Sequence, residues 1–360
     1  MDPIVIARAP GYLTFGAVDA PRAPTEKQER LTITAAVDYY AYAIVSPSRS
    51  PEVRISIAEE NGCAWREPNR RSVLYEESGL PDTIMRLFGA REGLSIFLSA
   101  QAPLGAGLGL LGSLTVAMIK ALAFFHGLDL EPSEVAALAC QVRRDVLNLE
   151  DRDECQYAAA CGGLIGITST GDAVQSIPLR VTPEIQQTLD RHLMLFGVLQ
   201  ATLDHRGIYT QQLDTNMVTP SDEPKSRVPH NMSRKVRASL EQGNCARLGA
   251  LLQHAWLEQC RASSVDQDNI LIEALHAARD NGALGGQATR IGSGLLVVLC
   301  PEVHQPGVTS ALTARGLRQL PVSLESEGVQ VMEAVPHTRL TSISSWQDQL
   351  RLGSKLRRMA

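Results

Sequence analysis

Gln101-Ala-Pro-Leu-Gly-Ala-Gly-Leu-Gly-Leu-Leu-Gly-Ser-Leu-Thr115 decides the reading of this chain. Glycines stand at 105, 107, 109 and 112, between the strand-like Leu94-Ser-Ile-Phe-Leu-Ser99 and a helix-like run from Thr115 to Phe125. Glycine lets backbone N–H groups turn toward a ligand without interference from Cβ. The first turn of a helix adds unpaired donors and a partial positive charge. Strand, glycine-rich loop and helix in that order make a phosphate cradle. The plainer alternative is a tight turn that needs glycine only for its geometry; four glycines within eight residues favour the cradle. Neither the dinucleotide fingerprint nor the P-loop fits, because no Gly-Lys-Ser/Thr follows. The candidate phosphate-binding residues are Gly105, Ala106, Gly107, Leu108, Gly109, Gly112 and Ser113, with a helix beginning near Ser113.

Around this loop, residues 4–7, 31–36, 39–45, 53–58 and 94–98 read as short strands rich in β-branched and aromatic residues. Helical spacing covers 81–88, 115–126 and 132–149, and strand character returns at 164–167 and 193–199. The polar, proline-bearing stretch 214–229 reads as a loop. Amphipathic helices are expected at 232–241, 245–262 and 269–281, then a strand at 295–300. Strands first, then helices mixed with a few strands, predict an α+β fold in two lobes, 1–185 and 186–360, with the cleft between them.

Bulk properties narrow the function classes. A chain of 360 residues with 44% hydrophobic and 20% charged residues is long enough for a large core. No apolar run reaches 18 residues and no signal-peptide pattern opens the chain, so a cytoplasmic protein off the membrane is expected. Seven cysteines without a Cys-x-x-Cys pair point to reduced thiols rather than disulfides or zinc. A net charge of −5 gives no reason to expect nucleic acid as a partner.

Pro103-Leu-Gly-Ala-Gly-Leu-Gly109 resembles the second motif of the GHMP kinase superfamily (galacto-, homoserine, mevalonate and phosphomevalonate kinases), Pro-x-Gly-x-Gly-Leu-Gly-Ser-Ser. Leu110 and Leu111 stand where that motif has its two serines. Arg8-Ala-Pro-Gly-Tyr-Leu-Thr-Phe-Gly-Ala-Val-Asp-Ala-Pro21 resembles the superfamily's first motif. Glu154-Cys-Gln-Tyr-Ala-Ala-Ala-Cys-Gly-Gly163 is similar to the Gln-Asp-Gln-Tyr-Ala-Ala-Ala-x-Gly-Gly block of the heptose 7-phosphate sugar-1-kinases. Gly282-Ala-Leu-Gly-Gly-Gln287 is similar to their Gly-Ala-Leu-Gly-Gly-Lys, and His254-Ala-Trp256 with Ser263-Ser264 also looks like that group. Four blocks in the right order, from residue 8 to about 300, imply the two-lobed GHMP kinase fold.

The resemblance implies phosphoryl transfer from ATP with Mg²⁺, where positioning supplies most of the catalysis. The family's metal-binding serine falls on Leu110, and a leucine offers no oxygen to a hard cation. Ser113 or Thr115, one turn on, could supply a hydroxyl, and Asp145 stands where the family's second metal ligand is; a surface carboxylate paired with Arg143 or Arg144 is the other reading of Asp145. The family's catalytic aspartate aligns with Cys155, whose thiol is a weak substitute as base and as hydrogen-bonding group. A small buried residue is the plainer role for it. Asp19 is kept as an acid for substrate hydroxyls, or is a turn residue near Pro21, and Tyr12 takes the place of a basic residue. Arg8, Arg290, Gly292 and Ser293 complete the candidate substrate contacts; Arg290 could hold a phosphate or carboxylate bidentately, or lie free on the surface.

Three functions fit these residues. One is an ATP-dependent kinase of a sugar, sugar phosphate or cyclitol hydroxyl. Another is a transferase on the same fold that uses phosphoribosyl pyrophosphate and an aromatic acid, since such chemistry needs a pyrophosphate cradle and no sugar-hydroxyl base. A third is a pseudokinase with a dead site. The substrate in each is a small phosphorylated molecule, and a homodimer is compatible with all three.

Overall fold

The computed structural model of the chain describes residues 3–16, 30–50, 53–59, 62–66, 80–89, 93–102, 107–147, 154–170, 173–198, 231–263, 269–289 and 294–336. The candidate loop 214–229 lies outside them. Two long antiparallel strands, β1 (Pro3–Phe15) and β2 (Arg30–Pro47), anchor an eight-stranded sheet. One edge of β2 serves two partners in turn: its residues 30–35 pair with β6 (Leu164–Thr170) and its residues 41–47 with β5 (Leu94–Ala100). The hairpin β3 (Arg54–Glu59) and β4 (Gly62–Arg66) extends the sheet beyond β5, and β7 (Ala173–Pro178) pairs with β6. Among the described pairs only β3 with β5 is parallel. The α+β expectation holds.

The sequence reads β2 as two strands, 31–36 and 39–45, with Asp38 between them. The structure keeps one strand and absorbs the interruption as a register shift opposite Pro10/Gly11 of β1. Asp38 there accepts the Ser323 N–H at 2.8 Å. Burial holds its carboxyl above the ordinary 3.8, and the nearby charges of Asp190 and Glu325 push the same way. A raised folded pKa means that the folded state binds the proton more tightly, so Asp38 favours folding in acid and loses that contribution as pH rises. Asp38→Asn, whose Oδ1 can still accept from Ser323, should therefore raise the thermal midpoint slightly at pH 7. The advantage should vanish as pH falls toward 4 in a melting series.

Helices α2 (Leu110–Phe125) and α4 (Glu154–Cys161) pack on this sheet, and α1 (Leu80–Leu87) and α3 (Pro132–Leu147) pack against α2. All but three residues of α2 are buried, from Leu110 to Ala123, so the helix is apolar all round. It lies on β1 and β2 between α3 and α4. Ala158, Ala159 and Ala160 of α4 are also fully covered, their small side chains allowing close approach.

Past α5 (Pro183–His192), a second sheet runs in the order β11 (Leu317–Leu320), β8 (Leu193–Val198), β10 (Leu295–Leu299), β9 (Gly285–Ala288). Its helices are α6 (Met232–Glu241), α7 (Cys245–Ser263), α8 (Asn269–Asp280) and α9 (Gln305–Thr313). β10 is five apolar residues in a row because both of its faces are covered. Leu295, Val297 and Leu299 join the core that reaches the first sheet, whereas Leu296 and Val298 face Trp256, Leu271 and Leu312. One core thus reaches from the first sheet to the second, and a separate core lies on the far face of β10.

The last described strand, β12 (Gln330–Pro336), leaves the second lobe and pairs with β1 from Pro3 to Arg8. A simple division at 185 assigns this strand to the wrong sheet. The segment before it crosses α4, where Val329 N–H reaches the Ala160 carbonyl and Gly163 N–H that of Glu325. This crossing explains Gly162 of the 154–163 block, and Gly163 beside it is left-handed, with φ 66°. A Cβ at Gly162, whose φ is 70°, would lie 2.3 Å from the Glu327 carbonyl carbon, and one at Gly328 would lie 1.9 Å from the Ala160 oxygen.

Candidate phosphate-binding site

Strand β5 delivers the chain to the glycine loop, and α2 takes it away. Gly107 and Gly109 both adopt left-handed backbone, with φ of 77° and 66°, a conformation that costs side-chain-bearing residues more than glycine. Gly109 caps α2 without any side-chain bond, and no acidic residue stands in the first turn. The first backbone bond to the cap is Ser113 N–H to the Gly109 carbonyl at 3.1 Å, so the N–H groups of Leu110, Leu111 and Gly112 precede the ladder as helix-terminal donors. The helix begins three residues before Ser113 because Leu110 and Leu111 are core residues of its first turn rather than loop.

The loop is fastened to β1 at three points. Tyr12 N–H donates to the Leu108 carbonyl at 3.0 Å, and the Ser113 hydroxyl donates to the Pro10 carbonyl at 2.7 Å. Between them Gly11 lets the chains touch: a Cβ there would lie 2.8 Å from the Leu108 oxygen. The Tyr12 ring lies against Gly109, filling the place of an added Cβ, whose nearest ring atom would be 1.6 Å away. The Pro10-Gly11-Tyr12 stretch and the glycine loop, nearly a hundred residues apart in sequence, form one unit. The sequence singled out both stretches but gave no signal that Gly11 joins them.

Several expected contacts are used otherwise. Ser113 is fully buried and its hydroxyl donates to the Pro10 carbonyl, which pins the loop to β1. Thr115 donates to the Leu111 carbonyl of its own helix at 2.9 Å. Leu110 is fully buried, 3.3 Å from the position of a Cβ on Gly11, and Tyr12 is buried as well. Leu110→Ser, which restores the family residue, should therefore cost about 3 kcal/mol or more of stability through a cavity and a buried hydroxyl. Denaturant unfolding would read this loss.

Arg8 lies away from the loop. Its guanidinium sits 4.5 Å from the Tyr40 ring centroid, donates to Gln330 Oε1 at 3.2 Å and approaches Glu327 at 4.0 Å. Tyr40 donates its hydroxyl to Glu325, and burial together with that carboxylate pushes its pKa far up, keeping it a donor at all ordinary pH. Arg8 thereby joins β1 to the 325–330 segment. Asp145 lies in α3 and Cys155 at the second position of α4, which packs on α2 and β1; their side chains, like Gly105, Ala106, Asp19, Arg290, Gly292 and Ser293, lie outside the described set. Gly294, just before β10, has left-handed backbone with φ 70°. Among the described residues no group of three or more His, Cys, Asp or Glu could hold a metal, and no helix is long and apolar enough to cross a membrane.

Comparison with known proteins follows this geometry. Residues 76–163 match the family described as GHMP kinases N terminal domain. A mevalonate kinase of Thermococcus gammatolerans is 24% identical over 247 residues, 68% of this chain and 70% of the relative. The D-glycero-alpha-D-manno-heptose 7-phosphate kinase of Campylobacter jejuni is 26% identical over 204 residues, 56% of this chain and 59% of the relative. Among solved structures, a D-glycero-D-manno-heptose 1-phosphate kinase from Bacteroides thetaiotaomicron superposes with a TM-score of 0.66 at 20% identity, covering 91% of this chain and 99% of that one. The Methanococcus jannaschii mevalonate kinase gives 0.63 at 14%, covering 89% and 98%.

Proposed function

We propose, for a chain that belongs to the GHMP kinase superfamily beside its heptose phosphate kinases, that it transfers the terminal phosphoryl group of ATP to a hydroxyl of a sugar, sugar phosphate or cyclitol. The observation that carries this reading is the fastened glycine loop. Two left-handed glycines and an uncapped helix N-terminus present backbone donors, while β1 holds the loop still. Phosphoryl transfer needs mostly positioning and electrostatic stabilisation, and a rigid set of N–H groups supplies both.

The residues around the cradle set the limits of this chemistry. Cys155 in place of a carboxylate leaves the acceptor hydroxyl without a strong base, which costs about 10²–10⁴ in rate and slows transfer without abolishing it. The phosphates fit the cradle. Ser113 and Thr115 are buried and Leu110 offers no oxygen, so these residues open no magnesium site at the cradle and no step is assigned to the metal.

The test is turnover and calorimetric binding with ATP and with phosphoribosyl pyrophosphate, each with and without Mg²⁺, against a panel of sugar phosphates and cyclitols. ATP consumption that depends on the acceptor supports the reading. Turnover of the pyrophosphorylated sugar alone replaces it with the transferase, and ligand binding without turnover replaces it with a pseudokinase.

A further inference from the structure

Strand β12 covers the outer edge of β1 from Pro3 to Arg8, and from Pro10 onward no strand of the described residues lies along that edge. Its backbone groups are met by other means: Pro10 by the Ser113 hydroxyl, Tyr12 by Leu108, and Thr14 and Gly16 by the side chain of Gln287. Gln287 Nε2 donates to the Thr14 carbonyl at 2.6 Å, and its Oε1 accepts the Gly16 N–H at 3.0 Å. It is only 6% exposed and belongs to β9 of the second sheet. A primary amide offers one donor and one acceptor side by side, as one peptide of a neighbouring strand would. The lysine of the sugar-1-kinase block has donors only and cannot accept from Gly16.

We infer that Gln287 is a positioning residue that straps β9 of the second sheet to the tip of β1, so that the second sheet and the phosphate loop carried by β1 keep a fixed separation. The strap stands on the geometry alone; its kinetic consequence rests on the phosphoryl-transfer reading. The phosphate loop is held to β1 by Tyr12 and Ser113 independently of Gln287. Loss of the strap therefore leaves nucleotide binding intact and disturbs the alignment of acceptor and phosphate.

Two variants of the full chain test this. Gln287→Met keeps the length and removes both bonds; hydrogen exchange of the Gly16 amide should quicken at least tenfold. ATP affinity should stay nearly constant while kcat falls about tenfold, the scale of one or two lost hydrogen bonds. Gln287→Glu places a carboxylate against the Thr14 carbonyl at neutral pH, but once protonated it donates to Thr14 and accepts from Gly16. Its activity relative to wild type should therefore climb as pH falls, a signature that a merely space-filling glutamine would not produce. Unchanged Gly16 exchange in folded Gln287→Met, or a flat pH ratio for Gln287→Glu, overturns the inference. If the wild type transfers no phosphoryl group, the proposed function fails and the exchange measurements still decide the strap. Should Gln287→Met not fold, Gly16 exchange in Gln287→Glu as a function of pH decides it in the same way.

Discussion

Gly109→Val is expected to weaken binding of every phosphorylated ligand by about two orders of magnitude, because two costs fall on one residue. A β-branched side chain at φ 66° is strained by about 1–3 kcal/mol. The new Cβ also falls within the Tyr12 ring, whose nearest atom is 1.6 Å from that position, so the ring must leave the buried site that it fills. Displacing Tyr12 pulls on its N–H bond to Leu108 and hence on the loop itself. The fold should survive, since the sheets and α2 keep their cores. Calorimetry with ATP reads the effect, and unchanged affinity would remove the cradle from the mechanism. A cycle with Tyr12→Ala separates the two costs: the double variant should recover the part due to the ring and keep the part due to backbone strain.

Cys155→Asp is expected to raise phosphoryl transfer by about 10- to 100-fold, on the scale of a restored general base. The second position of α4 suits a carboxylate, because the helix N-terminus carries partial positive charge. The same substitution separates the competing readings. In a transferase that uses a pyrophosphorylated sugar, an added anion beside the ligand should weaken binding, and in a pseudokinase neither change should appear. Acceptor-dependent ATP turnover by the two proteins, measured side by side, decides among gain, loss and indifference. An Asp variant that consumes no ATP across the acceptor panel would sink the kinase reading.

What the sequence made legible follows from the range of the forces involved. Helix α6 is read at 232–241 with its bounds correct, since the amphipathic period is a local signal. The start of α2 is misplaced because Leu110 and Leu111 look like loop until the core that buries them is known. β4, β7, β9, β11 and β12 escape notice: most of them are short or polar, and each is fixed by a partner that no local pattern reveals. For the site, the glycines of the loop and the first motif are visible in the chain, as is the block at 282–287 that contains Gln287. Their meeting on one edge of β1 is not, because it depends on backbone groups that every residue carries alike.

The return of β12 to the first sheet has a consequence for synthesis on the ribosome. The outer edge of β1 from Pro3 to Arg8 stays unpaired until Gln330–Pro336 has emerged. At about 5–20 residues per second the nascent chain waits on the order of 20 to 60 seconds with that edge open. An open strand edge is a template for pairing with another chain. The first sheet is therefore sealed last, after the strands of the second sheet have been made, and a chain cut short after β11 would leave this edge of β1 unsealed.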